Sequence, residues 1–162
     1  MTPSVSRALY EKYVENYKAY ARMRGFGLNF NDWPYHRRGF IECWTEPGFH
    51  HFWQVWNPGI SYFVYRLFLR LGGRRRWVVP TMAAFLICGI VHTIVVVPFF
   101  GRWSFSLIAA FACFGVLTII SRLAAPVLQQ ERWPIVVNTA LNITLLAGSF
   151  EIGFRVNKLL GF

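Results

Sequence analysis

The sequence predicts an all-α membrane protein: three transmembrane helices, a short re-entrant or interfacial helix before them, and an amphipathic helix at the N-terminus. Three observations lead there. Hydrophobic residues make up 55% of the 162 and charged residues only 15%. The second half holds three nearly charge-free runs, each long enough as a helix to cross the ~30 Å hydrocarbon core of a bilayer. The charges are unevenly shared, residues 1–76 carrying 12 of the 17 Lys and Arg and 5 of the 7 Asp and Glu.

The same counts exclude other classes. A net charge of +10 suggests nucleic acid, but a soluble nucleic-acid binder carries far more charge than this, and a basic flank beside a span already has a membrane explanation. Sixteen Phe, seven Trp and seven Tyr exclude disorder. Three widely spaced Cys, with Cys88 and Cys113 inside apolar runs, do not make a disulfide scaffold. Residues 1–24 are not expected to act as a signal peptide, because Arg7, Glu11, Lys12, Glu15, Lys18, Arg22 and Arg24 leave no apolar core region.

Residues 1–27 read as one amphipathic helix. Thr2-Pro3 supplies a cap and a first-turn proline, Gly25 and Gly27 end the pattern, and Tyr10, Tyr13, Tyr17 and Tyr20 recur at helical spacing with Val14 and Ala21. Such a stripe lies on a bilayer interface, on a partner, or on the protein's own loop. Residues 28–76 form an aromatic-rich polar segment, irregular over 28–58, where Asn31-Asp32-Trp33-Pro34, Glu46-Pro47-Gly48 and Asn57-Pro58-Gly59 are turn signals. Within it, 59–71 is apolar almost all round. At about 20 Å it is too short to span, which predicts an interfacial or re-entrant helix with Arg66 and Arg70 among lipid headgroups. Arg74, Arg75 and Arg76 follow as a basic run suited to an anionic leaflet.

Residues 77–162 form the membrane domain, with spans at 78–100, 103–121 and 133–153 and a loop over 122–133. Lys and Arg counting places the N-terminal segment and this loop on the cytoplasmic side. Glu151 is expected at the membrane boundary, paired with Arg155 one turn on.

Few side chains here carry chemistry. His92 lies about 5 Å from the midpoint of the first span, where an ionisable group is costly unless neutral, paired or beside a wet cavity. It is either a base at a cavity or a neutral ring tied to a neighbouring helix, with Asn138 and Asn142 as available partners. Asn138, Asn142 and Ser149 share one face of the third span and are expected to make helix–helix polar contacts. No metal site is expected. His50 and His51 lie near Cys43, Glu42 and Glu46 but lack ligand spacing.

One block points further. Phe52-Trp53-Gln54-Val55-Trp56-Asn57-Pro58 is followed by the short apolar–basic helix, then by Leu71-Gly72-Gly73-Arg74, then by a span containing Gly89-Ile90-Val91-His92. This order resembles the C-terminal core of the membrane-bound O-acyltransferase (MBOAT) family over roughly residues 49–100. The resemblance implies His92 as general base, Asn57 as its partner, and Trp53 and Trp56 as substrate-binding residues. It also implies acyl transfer to a hydroxyl from a thioester donor, acyl-CoA or an acyl carrier, with no tightly bound cofactor. Members of that family have many more membrane helices, and three spans do not enclose an acyl tunnel. Besides membrane lipids, other membrane subunits or a second copy are therefore expected to complete the protein. The alternative expectation is a non-catalytic accessory subunit of a membrane complex.

Overall fold

The uncharged runs become the three longest helices of a computed structural model that describes residues 17–26, 33–73, 75–101 and 103–161. These are α5 (Val78–Phe100), α6 (Ser106–Leu128) and α7 (Ile135–Leu159). Before them come α1 (Tyr17–Arg24), α2 (Trp33–His36), α3 (Phe49–Val55) and α4 (Pro58–Arg70), and no strand forms among the described residues. The protein is an all-α integral membrane protein whose three long helices have the length and hydropathy of spans. Their outward faces are apolar and uncovered, as at Val79 (70% exposed) and Val136 (76%), which suits lipid and would be an aggregation liability in water.

α6 is the middle helix, with α5 and α7 packed on its two sides. Its buried positions, Ser106, Ala110, Phe111, Phe114, Gly115 and Thr118, follow helical spacing. In lipid, close packing substitutes for the hydrophobic drive between helices, so small residues sit where backbones approach. A side chain at Gly153 of α7 would run into the Ser106 carbonyl oxygen. One at Gly89 of α5 would meet the Ile108 Cα and the Phe111 Cβ, each at 3.0 Å.

The span boundaries differ from expectation. The second helix begins at Ser106 and continues to Leu128 through Pro126, reducing the expected 122–133 loop to residues 129–134. Pro126 orphans only the Arg122 carbonyl, in the final turns where water and headgroups can bond it. Gln129 then ends the helix in the left-handed conformation at φ 46°, its N–H donating to the Ala125 carbonyl. At the other end the Phe105 N–H donates to Asn157 Oδ1 of α7 at 2.8 Å, so α7 caps α6. α7 continues past residue 153 to Leu159, with Glu151 and Arg155 paired on an exposed face at 2.7 Å.

The segment expected to be irregular is mostly helical where it is described. α2 runs on through a wide turn over Arg37–Ile41 and a tight one over Glu42–Thr45. Gly48 at φ 89° then breaks the run. α3 packs against α6, burying Phe49 and Phe52 completely and placing the Trp53 ring 4.8 Å from that of Phe114. Of the tyrosine stripe, Tyr10 and Tyr13 lie outside the described residues, as does the Thr2-Pro3 start. Tyr17 and Tyr20 settle on the chain's own α4, with ring contacts of 5.3 and 5.2 Å to Tyr62 and a 2.9 Å hydrogen bond from Tyr20 to Ser61.

Candidate functional site: a histidine cavity below an arginine-lined cleft

One face of the α5 register carries Trp77, Thr81, Phe85, Cys88 and His92, at intervals of three or four residues. They line two adjacent cavities. The upper one, about 460 Å³, lies at the start of α5 and the end of α6, the membrane-boundary end of both helices. The lower, about 60 Å³, is lined by His92, Cys88, Phe111, Ile60 and the two tryptophans Trp53 and Trp56. Trp53, Ser61, Val64 and Phe85 line both. From Trp77 down to His92 the register descends about 22 Å along the helix axis.

His92 Nδ1 lies 2.8 Å from the Cys88 carbonyl oxygen. A carbonyl only accepts, so the hydrogen is on Nδ1, and Nε2 carries the free lone pair. Nε2 has no hydrogen-bond partner among the described residues, and the ring lies tilted against that of Phe111, 4.8 Å between centroids. The bond is to its own helix, not to Asn138 or Asn142.

Asn57 stands at the head of α4 in the left-handed conformation (φ 46°, ψ 85°), its Oδ1 accepting from the Ile60 N–H at 3.4 Å. Pro58 follows at the first helical position, where a missing N–H costs nothing. The cap leaves both Nδ2 hydrogens without an acceptor among the described residues. Asn57 is not among the residues lining the His92 cavity, although Trp56 and Ile60 on either side of it are.

The polar residues of α7 bond differently from expectation. Asn142 Nδ2 donates to the Trp44 and Glu46 carbonyls, both at 3.0 Å, and so fastens the 42–46 turn to the span. Asn138 Nδ2 donates to the Gln130 carbonyl at 3.1 Å, and Ser149 returns its hydroxyl to the Leu145 carbonyl of its own helix. None bridges to another long helix: the two amides reach carbonyls of the turns that pack on α7, the Gln130 carbonyl accepting from the Trp133 N–H as well, and the Ser149 hydroxyl bonds back within its own helix.

The upper cleft was not legible as a site. Arg24 and Arg122 line it with His51, Gln54, Tyr20 and Thr118, and among the described residues no carboxylate does. The Arg24 guanidinium bonds the Gln54 side-chain carbonyl, while its Nε, Trp53 Nε1 and Thr118 Oγ1 are buried without partners. The Arg122 guanidinium lies over the Trp77 ring at 4.4 Å. His50 is fixed by Ser121, whose Oγ accepts from its backbone N–H and lies 3.0 Å from its Nδ1. Burial, then the neighbouring His51 and Arg122, push the His50 imidazole down to about 4. Burial also lowers His51, so both rings are neutral at physiological pH. Among the described residues no three His, Cys, Asp or Glu side chains gather as metal ligands.

Of the arginines expected at headgroups, Arg70, Arg75 and Arg76 are exposed, Arg66 lies 6.0 Å from the Tyr62 ring centre, and Arg74 is outside the described residues. Comparison with protein-family models, curated proteins and solved structures finds no match to this chain.

Proposed function

We propose that this chain is the histidine-bearing core of a membrane O-acyltransferase, similar to the MBOAT family in the order of its motifs. The observation that carries the reading is the Nδ1–H bond of His92 to the Cys88 carbonyl, which leaves Nε2 as the basic nitrogen of a residue lining a cavity walled by Trp53 and Trp56. A base held in one tautomer inside an apolar wall is what deprotonating a hydroxyl requires.

In the reaction, His92 Nε2 takes the proton of the acceptor hydroxyl as its oxygen bonds to the thioester carbonyl carbon. The carbonyl π electrons move onto oxygen, and an N–H donor stabilises that oxyanion. Candidate donors are the unpartnered indole N–H of Trp53, which lines the cavity, and the Asn57 Nδ2, which lies outside that lining between Trp56 and Ile60 and would have to turn toward it. Collapse breaks the carbon–sulfur bond, and the departing thiolate takes the proton from the His92 imidazolium. The ester and the free thiol leave, and the histidine is neutral again. Exclusion of water at this depth protects the thioester from hydrolysis.

The test is transfer of a labelled acyl group from an acyl thioester to a long-chain alcohol, with purified protein in nanodiscs. Replacing His92→Ala is expected to lower the rate by about 10²- to 10⁴-fold, the usual contribution of a positioned base. Asn57→Asp, which keeps the capping oxygen but lacks the N–H donors, is expected to lower transfer without changing thermal stability. An unchanged rate in His92→Ala removes the assignment.

A second reading, a non-catalytic subunit of a membrane complex, is favoured by one observation. The His92 cavity, about 60 Å³, has room for a few atoms and not for an acyl chain. On either reading a partner or second copy supplies further walls. Blue-native electrophoresis after mild extraction checks this: a single band at monomer mass argues against any such assembly.

A further inference from the structure

We propose that the cleft between α1, α3, α4, α5 and α6 binds the phosphate of an anionic membrane lipid through Arg24 and Arg122. The two arginines line a space of about 460 Å³; among the described residues no Asp or Glu side chain lines it and neither guanidinium meets a carboxylate. Arg24 is half-buried, its guanidinium 5.9 Å from the Tyr20 and Tyr65 ring centres, and Arg122 is exposed at the mouth of the cleft. A guanidinium drawn partly out of water, as that of Arg24 is, needs an anion or acceptors in exchange. Gln54 supplies Arg24 with one acceptor, yet the Arg24 Nε remains buried and unpaired. The other unpartnered groups on the lining, Trp53 Nε1 and Thr118 Oγ1, are a donor and a hydroxyl. Phosphate oxygens are acceptors that fit this donor excess, and planar guanidinium is the side chain best suited to them.

The position of the cleft identifies the source of the phosphate. Trp77 immediately precedes α5, and Arg122 lies in the last two turns of α6, so both mark the depth where headgroups sit. Stacking on Trp77 holds the Arg122 guanidinium at that level. By contrast Arg70, Arg75 and Arg76 are exposed and line no part of the cleft, and contribute diffuse attraction only. His50 and His51, being neutral, add hydrogen-bonding groups and no charge, leaving the two arginines as the cations of the site. The assignment stands apart from the acyl-transfer reading, since it requires no reaction and no part of His92.

The experiment is titration of the purified protein in neutral detergent with phosphatidylglycerol, against diacylglycerol and inorganic phosphate, read by native mass spectrometry and thermal shift. One phosphatidylglycerol retained per chain and a raised melting temperature are expected, with neither from diacylglycerol or inorganic phosphate. Arg24→Gln and Arg122→Gln are each expected to weaken binding about tenfold, the loss of one charge-assisted contact. Gln54→Glu, which keeps both arginines but places a carboxylate beside Arg24, is expected to do the same. Lipid-free melting temperatures identify any variant that fails to fold. The double variant Arg75→Gln/Arg76→Gln and the variant His92→Ala are expected to bind as the parent does. Parent-like binding in all three cleft variants overturns the site, as does an equal loss in Arg75→Gln/Arg76→Gln. Equal protection by inorganic phosphate overturns the lipid as its occupant.

Discussion

Asn57 combines two demands that few side chains meet together. Its φ of 46° excludes most residues with a Cβ, and its Oδ1 accepts from the first turn of α4. Asn57→Ala forfeits the cap and strains the backbone, and is expected to cost about 1–2 kcal/mol of stability. Asn57→Gly keeps the conformation and is expected to cost a few tenths of a kcal/mol at most by the same measure of capping. Thermal unfolding in detergent distinguishes them. His50 sets a pH dependence. Its folded pKa, about 4, is below the ordinary 6.5, so between these values the unfolded chain binds a proton that the folded chain refuses. Stability contributed by the neutral, buried ring is therefore full above pH 6.5 and is lost as pH falls toward 4. His51 acts in the same direction. The melting temperature is expected to drop across that window, and His50→Gln to flatten the drop; a parent-like slope in that variant rejects the assignment.

α6 holds the fold together because both neighbouring long helices and α3 lie on it. Its contacts depend on small residues, which makes substitutions at similar positions very unequal. Gly153→Val is expected to push α7 off the Ser106 carbonyl and cost about 1–3 kcal/mol, the usual range for overpacking. Gly148→Val, on the same helix with nothing within 4 Å of a new Cβ, is expected to be close to neutral, and thermal unfolding of the pair measures the difference. Asn142 is a different kind of tie. Its side chain is fully buried and holds the two carbonyls that end the 42–46 turn. Asn142→Leu leaves those carbonyls bare, so limited proteolysis near residues 42–48 is expected to accelerate while α5 to α7 stay resistant.

Three spans are an odd number, so the two ends of the membrane domain lie on opposite sides. Arg75 and Gln129 belong to one side and Gly101 and Leu160 to the other. With the three native cysteines replaced, a single Cys introduced at each of these positions is expected to react with a membrane-impermeant maleimide in two pairs, from opposite faces of sealed vesicles. Arg75 and Gln129 reacting from different sides would show that one of the long helices does not cross.

The class of the protein was legible because it rests on additive quantities. Length and uncharged composition are enough to identify three spans, whereas Asn57-Pro58-Gly59, read as a turn before a helix at 59, proved to be the cap and first residues of α4. His92 was conspicuous for the same reason, as one ionisable residue in a run of hydrocarbon. Local spacing also found the Tyr17–Tyr20 stripe but not its counterpart, which proved to be α4. What the chain's order of residues did not disclose was every relation between distant segments. Arg24 and Arg122 are 98 positions apart and each reads alone as an ordinary helix-end cation. Only the packing of α1 on α4, of α4 on α5 and of α3 on α6 makes them walls of one cleft. Asn138 and Asn142 looked like glue between helices, yet their amides bond carbonyls of turns, whose positions depend on the folded whole.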